Sequence, residues 1–291
     1  MPIHPPRWLC ALALALSCTA AMAHEFWMLP DRFQVAPGGV ASLSMRVGEY
    51  FTGDLVGFVP TFVVGLRRFD ASGVTDLHDR LPDRASGSSS TGPLAEGTHL
   101  FAIDTSPSRI ELGAEKFEAY LHDEGLDAVI AARAAAGTSA APARERFRRN
   151  IKTLVQSGAK VDDTWSRITG QRMELVPRTN PLLLVQGQDI AFDVLFDGRP
   201  LAGALMKLWH KHGNQLVLVR AKTDAQGRVI VTPTWPGVWM ASVVHMIPAE
   251  ASAQDDWDSY WGNITFAVRP AAAPSASSSG QPQAVSSAPR R

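Results

Sequence analysis

Asp189-Ile190-Ala191-Phe192-Asp193-Val194-Leu195-Phe196-Asp197-Gly198 is the stretch that decides the fold. Its apolar residues alternate with others at the period of a half-buried strand, and Asp197-Gly198 is a dipeptide favoured in tight hairpin turns. Gly213-Asn214 and the run Asp224 to Gly227 repeat the turn signal downstream. Short strand-like runs punctuated in this way from Gln171 to Val268 spell a β-sandwich of transthyretin or immunoglobulin type, with no α-helix expected there.

Working outward, residues 24–170 read as an N-terminal β-rich domain with a helical insertion. Val40 to Val47 and Thr61 to Phe69 are strand-like, separated by Pro37-Gly38-Gly39, Gly53 and Ser72-Gly73. Arg84 to Gly92, rich in Ser and Gly, reads as a flexible loop before the strand-like Leu100 to Ile103. Over about residues 112–157 the period becomes helical. Phe117, Tyr120, Leu121, Leu126, Val129 and Ile130 carry the first stripe, with Gly125 at a corner. Pro142 then opens a second helical segment striped by Phe147, Ile151, Leu154 and Val155, and Gly158 closes it. Arg144, Arg146, Arg148, Arg149 and Lys152 decorate that segment as a solvated face or as an anion site. Residues 269–291 are Ala, Pro, Ser, Gly and Gln with little to bury, the composition of a disordered tail.

The chain has 291 residues, 45% of them hydrophobic, with 28 basic and 28 acidic side chains. That balance leaves no cationic excess for nucleic acid or an anionic bilayer, and allows peripheral membrane contact at most. Residues 1–23 have the form of a cleavable signal peptide: Arg7, an apolar run from Leu9 to Leu16, and Ala21-Met22-Ala23. The expected location is the periplasm. Ala15-Leu16-Ser17-Cys18 is a poorer match to a lipoprotein box, with Ala where Leu is usual. Cys10 and Cys18 both fall inside the signal, so residues 24–291 offer no thiolate and no disulfide.

Cleavage after Ala23 makes His24 the amino terminus. Its α-amino group, with a reference pKa of about 7.7 to 8, can deprotonate near neutral pH and join imidazole Nδ1 on one ion. His210 and His212 flank Lys211 on an expected strand, and a period of two sends both rings to one face. His245 follows the apolar run Val238 to Val244 and precedes the acidic, aromatic run Asp255 to Trp261. His24, His245, His210 and His212 are therefore the candidate metal ligands. His78, His99 and His122 read as surface residues. Trp209, Trp235, Trp239, Trp257 and Trp261 gather in residues 171–268, as pocket wall or as core.

No Gly-x-Ser-x-Gly elbow, His-Glu-x-x-His pair, Walker motif or dinucleotide glycine pattern is present, so nothing in the sequence speaks for an enzyme. Two readings stand beside metal binding. One is a non-metal ligand-binding or adhesion module; the other is a copper oxidase built on His24 and a second histidine.

A set of stretches resembles the bacterial family known as domain of unknown function 4198. They are His24-Glu25-Phe26-Trp27, the run Tyr120 to Asp127, Arg144-Glu145-Arg146-Phe147 with Lys152-Thr153-Leu154, and Pro177 to Pro181. The run Thr223 to Arg228 and His245-Met246 with Asp256 to Trp261 complete it. The resemblance implies a β-rich domain with a helical insertion followed by a transthyretin-like sandwich. It also implies a periplasmic protein that captures or delivers a divalent ion, nickel or cobalt, for inner-membrane transporter components. Nitrogen donors hold copper more tightly than nickel and nickel more tightly than cobalt, so copper or zinc can also be taken in vitro.

Overall fold

The computed structural model describes residues 25–81, 87–250 and 254–271; the signal segment, His24 and the tail beyond Ala271 lie outside them. The first strands are β1 (Glu25–Pro30), β2 (Gln34–Val35), β3 (Ser42–Glu49), β4 (Thr52–Val56), β5 (Val63–Asp70), β6 (Gly73–Asp76), β7 (Ser88–Ser90), β8 (Gly97–Thr105) and β9 (Ser108–Leu112). Helices α1 (Ala114–Asp123) and α2 (Asp127–Ala135) follow. The chain returns to strand with β10 (Ala143–Ser157), β11 (Met173–Pro177), β12 (Ile190–Phe196), β13 (Arg199–Pro200), β14 (Leu205–His212), β15 (Gln215–Lys222), β16 (Arg228–Val231), β17 (Gly237–Pro248) and β18 (Trp257–Val268).

A ten-stranded sheet forms the middle layer, in the order β15-β14-β17-β18-β10-β8-β5-β6, with β2 and β9 also paired to β10. Alternation lets this sheet serve two cores. On β8, Leu100 and Ala102 join Phe192, Val194 and Trp239 in one core, while Phe101 and Ile103 join Phe26, Met28 and Met45 in another. One face is covered by the sheet β11-β12-β13 with β16 on β12; the other is covered by β1-β3-β4 with β7 on β3. Beside that second cover, α1 and α2 close the same face through Phe117, Tyr120, Leu121 and Val129 against Phe147, Val244 and Trp261. The groove where the β1-β3-β4 cover meets the helices is what positions the candidate site.

The class read from sequence holds: the chain is mainly β with a small helical insertion. Strands run through the expected places, and Gly125 turns the α1–α2 corner at φ +66°. Ser88–Ser90 pairs with Ser42–Ser44, so part of the expected loop is strand.

The second helical segment is a correction. Residues 143–157 are one 15-residue strand, β10, parallel to β18 from Glu145↔Trp257 to Thr153↔Thr265. Phe147, Ile151 and Val155 satisfy a period of two as well as a helical stripe, and a strand buried on both faces does not alternate apolar with polar. Arg144, Arg146 and Arg148 are not a solvated helix face. Arg144 forks onto Asp256 and Arg146 onto Asp258, at 2.6–3.2 Å, and Arg148 reaches Asp258 at 3.5 Å.

The middle sheet draws strands from both sides of residue 171. Residues 171–268 supply two facing sheets, β11-β12-β13-β16 and β15-β14-β17-β18, but β18 continues into β10 and the rest of the middle layer. Phe69, Leu100 and Leu154 from the first half lie in the same core as Met173, Ile190 and Phe266. The parallel seam of β10 and β18 joins the two halves.

Candidate functional site

Charged side chains converge beneath the groove between the β1-β3-β4 cover and α1. Glu25, the first residue of β1, is buried; Ser242 on β17 donates to its carboxylate at 2.7 Å, and Trp209 Nε1 donates to Ser242 Oγ at 3.0 Å. From the end of α1, Asp123 and Glu124 accept from Lys207 Nζ on β14 at 2.6 and 2.7 Å. Deeper in, Tyr120 and Ser259 both donate to Glu145, which is fully buried on β10. The groove encloses about 270 Å³, walled by Tyr50, Tyr120 and Trp209 among these charges.

Burial dominates the electrostatics. Desolvation raises Glu124 from 4.5 to about 7 against the lowering pull of Lys207, and Glu25 is raised for the same reason. Burial likewise brings the Arg149 guanidinium down to about 10, opposed by the charges of Glu25 and Glu145. Because Glu124 titrates higher folded than unfolded, the folded state holds more protons between pH 4.5 and about 7, and stability falls as pH rises through that window. Glu124→Gln abolishes this titration. Wild type is expected to lose stability relative to the variant between about pH 5 and about pH 8 in denaturant melts; parallel profiles would contradict the assignment.

The β3–β4 hairpin tip divides this groove from a second cavity. Tyr50 and Phe51 occupy its turn at φ 53° and 55°, a left-handed pair that Asn-Gly normally fills. The hairpin arms approach so closely that a Cβ on Gly48 would lie 2.1 Å from the Thr52 carbonyl, and one on Gly53 2.2 Å from that of Val47. Tyr50 lines the first groove and Phe51 the second cavity, so the strained pair holds an aromatic ring at each. Tyr50→Asn, at a largely exposed position, is expected to stabilise the fold by about 1 kcal/mol in urea denaturation. A destabilised variant would show that the Tyr50 ring contributes more through packing than the turn costs.

The second cavity, of about 510 Å³, holds the histidine pair. His210 Nδ1 lies 2.8 Å from the Val238 carbonyl oxygen, which can only accept, so Nδ1 carries the proton and Nε2 the lone pair. That Nε2 is buried and has no hydrogen-bond partner among the described residues. His210 stacks on Trp239 at 4.6 Å and His212 on Trp235 at 4.1 Å, and the two imidazole centroids are 6.2 Å apart. Two imidazoles sharing one ion with bonds of about 2.1 Å have centroids about 5 to 6 Å apart, close to the separation of His210 and exposed His212.

His245 stands elsewhere. It is six residues along β17 from Trp239, the partner of His210, about 20 Å at the strand rise. Its ring edge meets Phe196 at 4.5 Å, and burial lowers its pKa against the opposing charge of Asp197. The structure thus brings His210 and His212 together and keeps His245 apart, while His24 is outside the described residues. His99, read as a surface residue, is buried, with Nε2 2.8 Å from the Ala95 carbonyl. Among the described residues no group of three or more His, Cys, Asp or Glu is placed to hold a metal ion.

Lys207 and Ser242 went unnoticed in the sequence as site residues, since each sits in an ordinary strand, while Trp209 was among the tryptophans read as pocket wall or core. Trp27 and Arg46, which also line the second cavity, carried at most the signal of the His24–Trp27 run.

A three-layered β protein with a helical cap and two cavities flanking one hairpin is the class that fold and site define. The chain belongs to the family described as Domain of unknown function (DUF4198), whose model matches residues 21–247. No match was found among curated proteins. Among solved structures the chain is similar to a tetra-tandem repeat in the extending region of a large adhesion protein, at 10% identity and TM-score 0.22, covering 84% of this chain and 49% of that one. It is also similar to Escherichia coli alpha-2-macroglobulin activated by porcine elastase, at 13% identity and TM-score 0.21, covering 85% and 20%. The chain spans about half or less of the length of these structures.

Proposed function

We propose that this protein binds a divalent transition-metal ion, nickel or cobalt, in the periplasm and passes it to inner-membrane transporter components. The observation that carries the reading is the His210 Nε2 lone pair, buried without a partner among the described residues while Nδ1 is tied to Val238. Metal-binding histidines are oriented in this way, by a hydrogen bond from the other ring nitrogen. The periplasmic placement and the transporter partner rest on the signal-like residues 1–23 and on the family resemblance. The ion is cargo, held by nitrogen donors and released unchanged.

Equilibrium dialysis of tag-free protein against nickel, cobalt, copper and zinc tests it. About one ion per chain is expected, and His210→Ala should weaken binding at least tenfold, about 1.4 kcal/mol. His122→Ala, on an exposed helix face, should not. Metal at far below one ion per chain for all four would contradict the proposal and favour a non-metal binding module. His24 has its own test. One residue added ahead of it turns the terminal amine into an amide, and a donated amine predicts a further loss of about tenfold. Unchanged affinity would remove His24 from the ligand set and leave His210 and His212.

A further inference from the structure

We infer that the ion enters the His210 cavity not bare but as a complex with a small organic carboxylate, an inference that rests on the metal reading of His210. Trp27, Arg46, Phe51, His210, Lys211 and His212 line this cavity, and none of its lining residues is Asp or Glu. Two imidazoles fill at most two of the four or more positions a transition ion requires. A bare dication entering here meets the like charges of Arg46 and Lys211 with no carboxylate to offset them. An anionic chelator arriving with the ion removes that repulsion and supplies the missing donors.

The cavity wall is equipped for such an anion. Trp27 is buried, and its indole N–H has no partner among the described residues. Arg46 Nη1 donates to the Gly53 carbonyl at 3.2 Å, but its Nε–H has no partner among the described residues. Lys211 Nζ donates once, to Thr52 Oγ1 at 2.9 Å, and an ammonium has three N–H bonds to give. Buried polar groups are seldom left unpaired, and unpaired ones point to an absent partner. Here the unpaired acceptor is an imidazole suited to the metal and the unpaired donors suit carboxylate oxygens. Binding is ligand exchange: each imidazole forms a metal–nitrogen bond as one coordinated water leaves, with no change in oxidation state. Charge-assisted bonds from Arg46 and Lys211 hold the carboxylates.

Calorimetry with nickel alone, citrate alone and the equimolar nickel–citrate complex decides it, using full mature protein. The complex should bind at least tenfold more tightly than nickel alone. Trp27→Phe, which keeps the ring but removes the N–H, should erase most of that advantage while leaving the affinity for nickel alone within about twofold, whereas Arg46→Gln should erase it and, by removing a like charge, tighten nickel alone. Two variants on different strands keep the test open if one fails to fold. Nickel alone binding as tightly as the complex would overturn this inference and leave the metal reading standing. Citrate alone binding as tightly as the complex, unaffected by His210→Ala, would overturn this inference by making the cavity a plain carboxylate site. No nickel in either form would refute the metal reading first.

Discussion

Lys152→Met is expected to cost about 3 to 5 kcal/mol of folding stability, the penalty for stranding a buried charge. Lys152 sits in the centre of β10 and Glu174 on β11, both fully buried, with Nζ 2.5 Å from Glu174 Oε1 and 3.2 Å from the Leu175 carbonyl. The Glu174 carboxylate also accepts from Thr169 N, Thr169 Oγ1 and Gly170 N at 2.6, 2.9 and 3.1 Å. It ties the middle sheet to the turn entering β11, and without Lys152 those neutral donors face an uncompensated anion. Adding Glu174→Gln keeps the shape and several hydrogen bonds while removing the charge, so the double variant should recover part of the loss. Urea denaturation checks both; a single variant within about 1 kcal/mol of wild type would contradict this role.

Lys207→Met should be similarly damaging, by about 3 to 5 kcal/mol, with a pH dependence that identifies the cause. Lys207 is the cation hydrogen-bonded to both Asp123 and Glu124, and it also pulls down the carboxyl of Glu25. Its removal lets burial drive Glu124 and Glu25 still higher, so their protons are held in the folded state to higher pH. Carboxyls raised in the folded state lose stability as pH rises, and the variant should be weakest above about pH 7 and partly rescued near about pH 5. Arg220, which donates to Asp123 at 2.9 Å, compensates only the outer carboxylate. A loss independent of pH would point to packing alone.

The fold was legible wherever one face of an element is wet. β12 alternates because its sheet is an outer layer, and α1 shows a helical stripe because Glu115 and Lys116 face outward. β10 was illegible for the opposite reason. It is buried on both faces, and its inward polar residues Asn150 and Lys152, with the amide oxygen of Gln156, are satisfied by partners distant in sequence. Local periodicity carries no trace of Glu174 or Asp104.

Part of the site could be read and part could not. Side-chain parity put His210 and His212 on one face, which needs only the strand period. The separation of His245 depends on β17 being a 12-residue strand with His210 opposite its third residue, Trp239, a fact of register rather than pattern. The runs beginning at His24 and Tyr120 were picked out as matching stretches. Folding turns them into Glu25, Asp123 and Glu124 around one lysine that no motif announced.

Crystals of the mature protein grown with nickel, and measured at the nickel absorption edge, test directly whether His210 Nε2 takes a metal ion. An anomalous peak is expected about 2.1 Å from His210 Nε2, within reach of His212 and absent in His210→Ala. A fully occupied peak elsewhere on the chain, with His210 Nε2 bare, would contradict it.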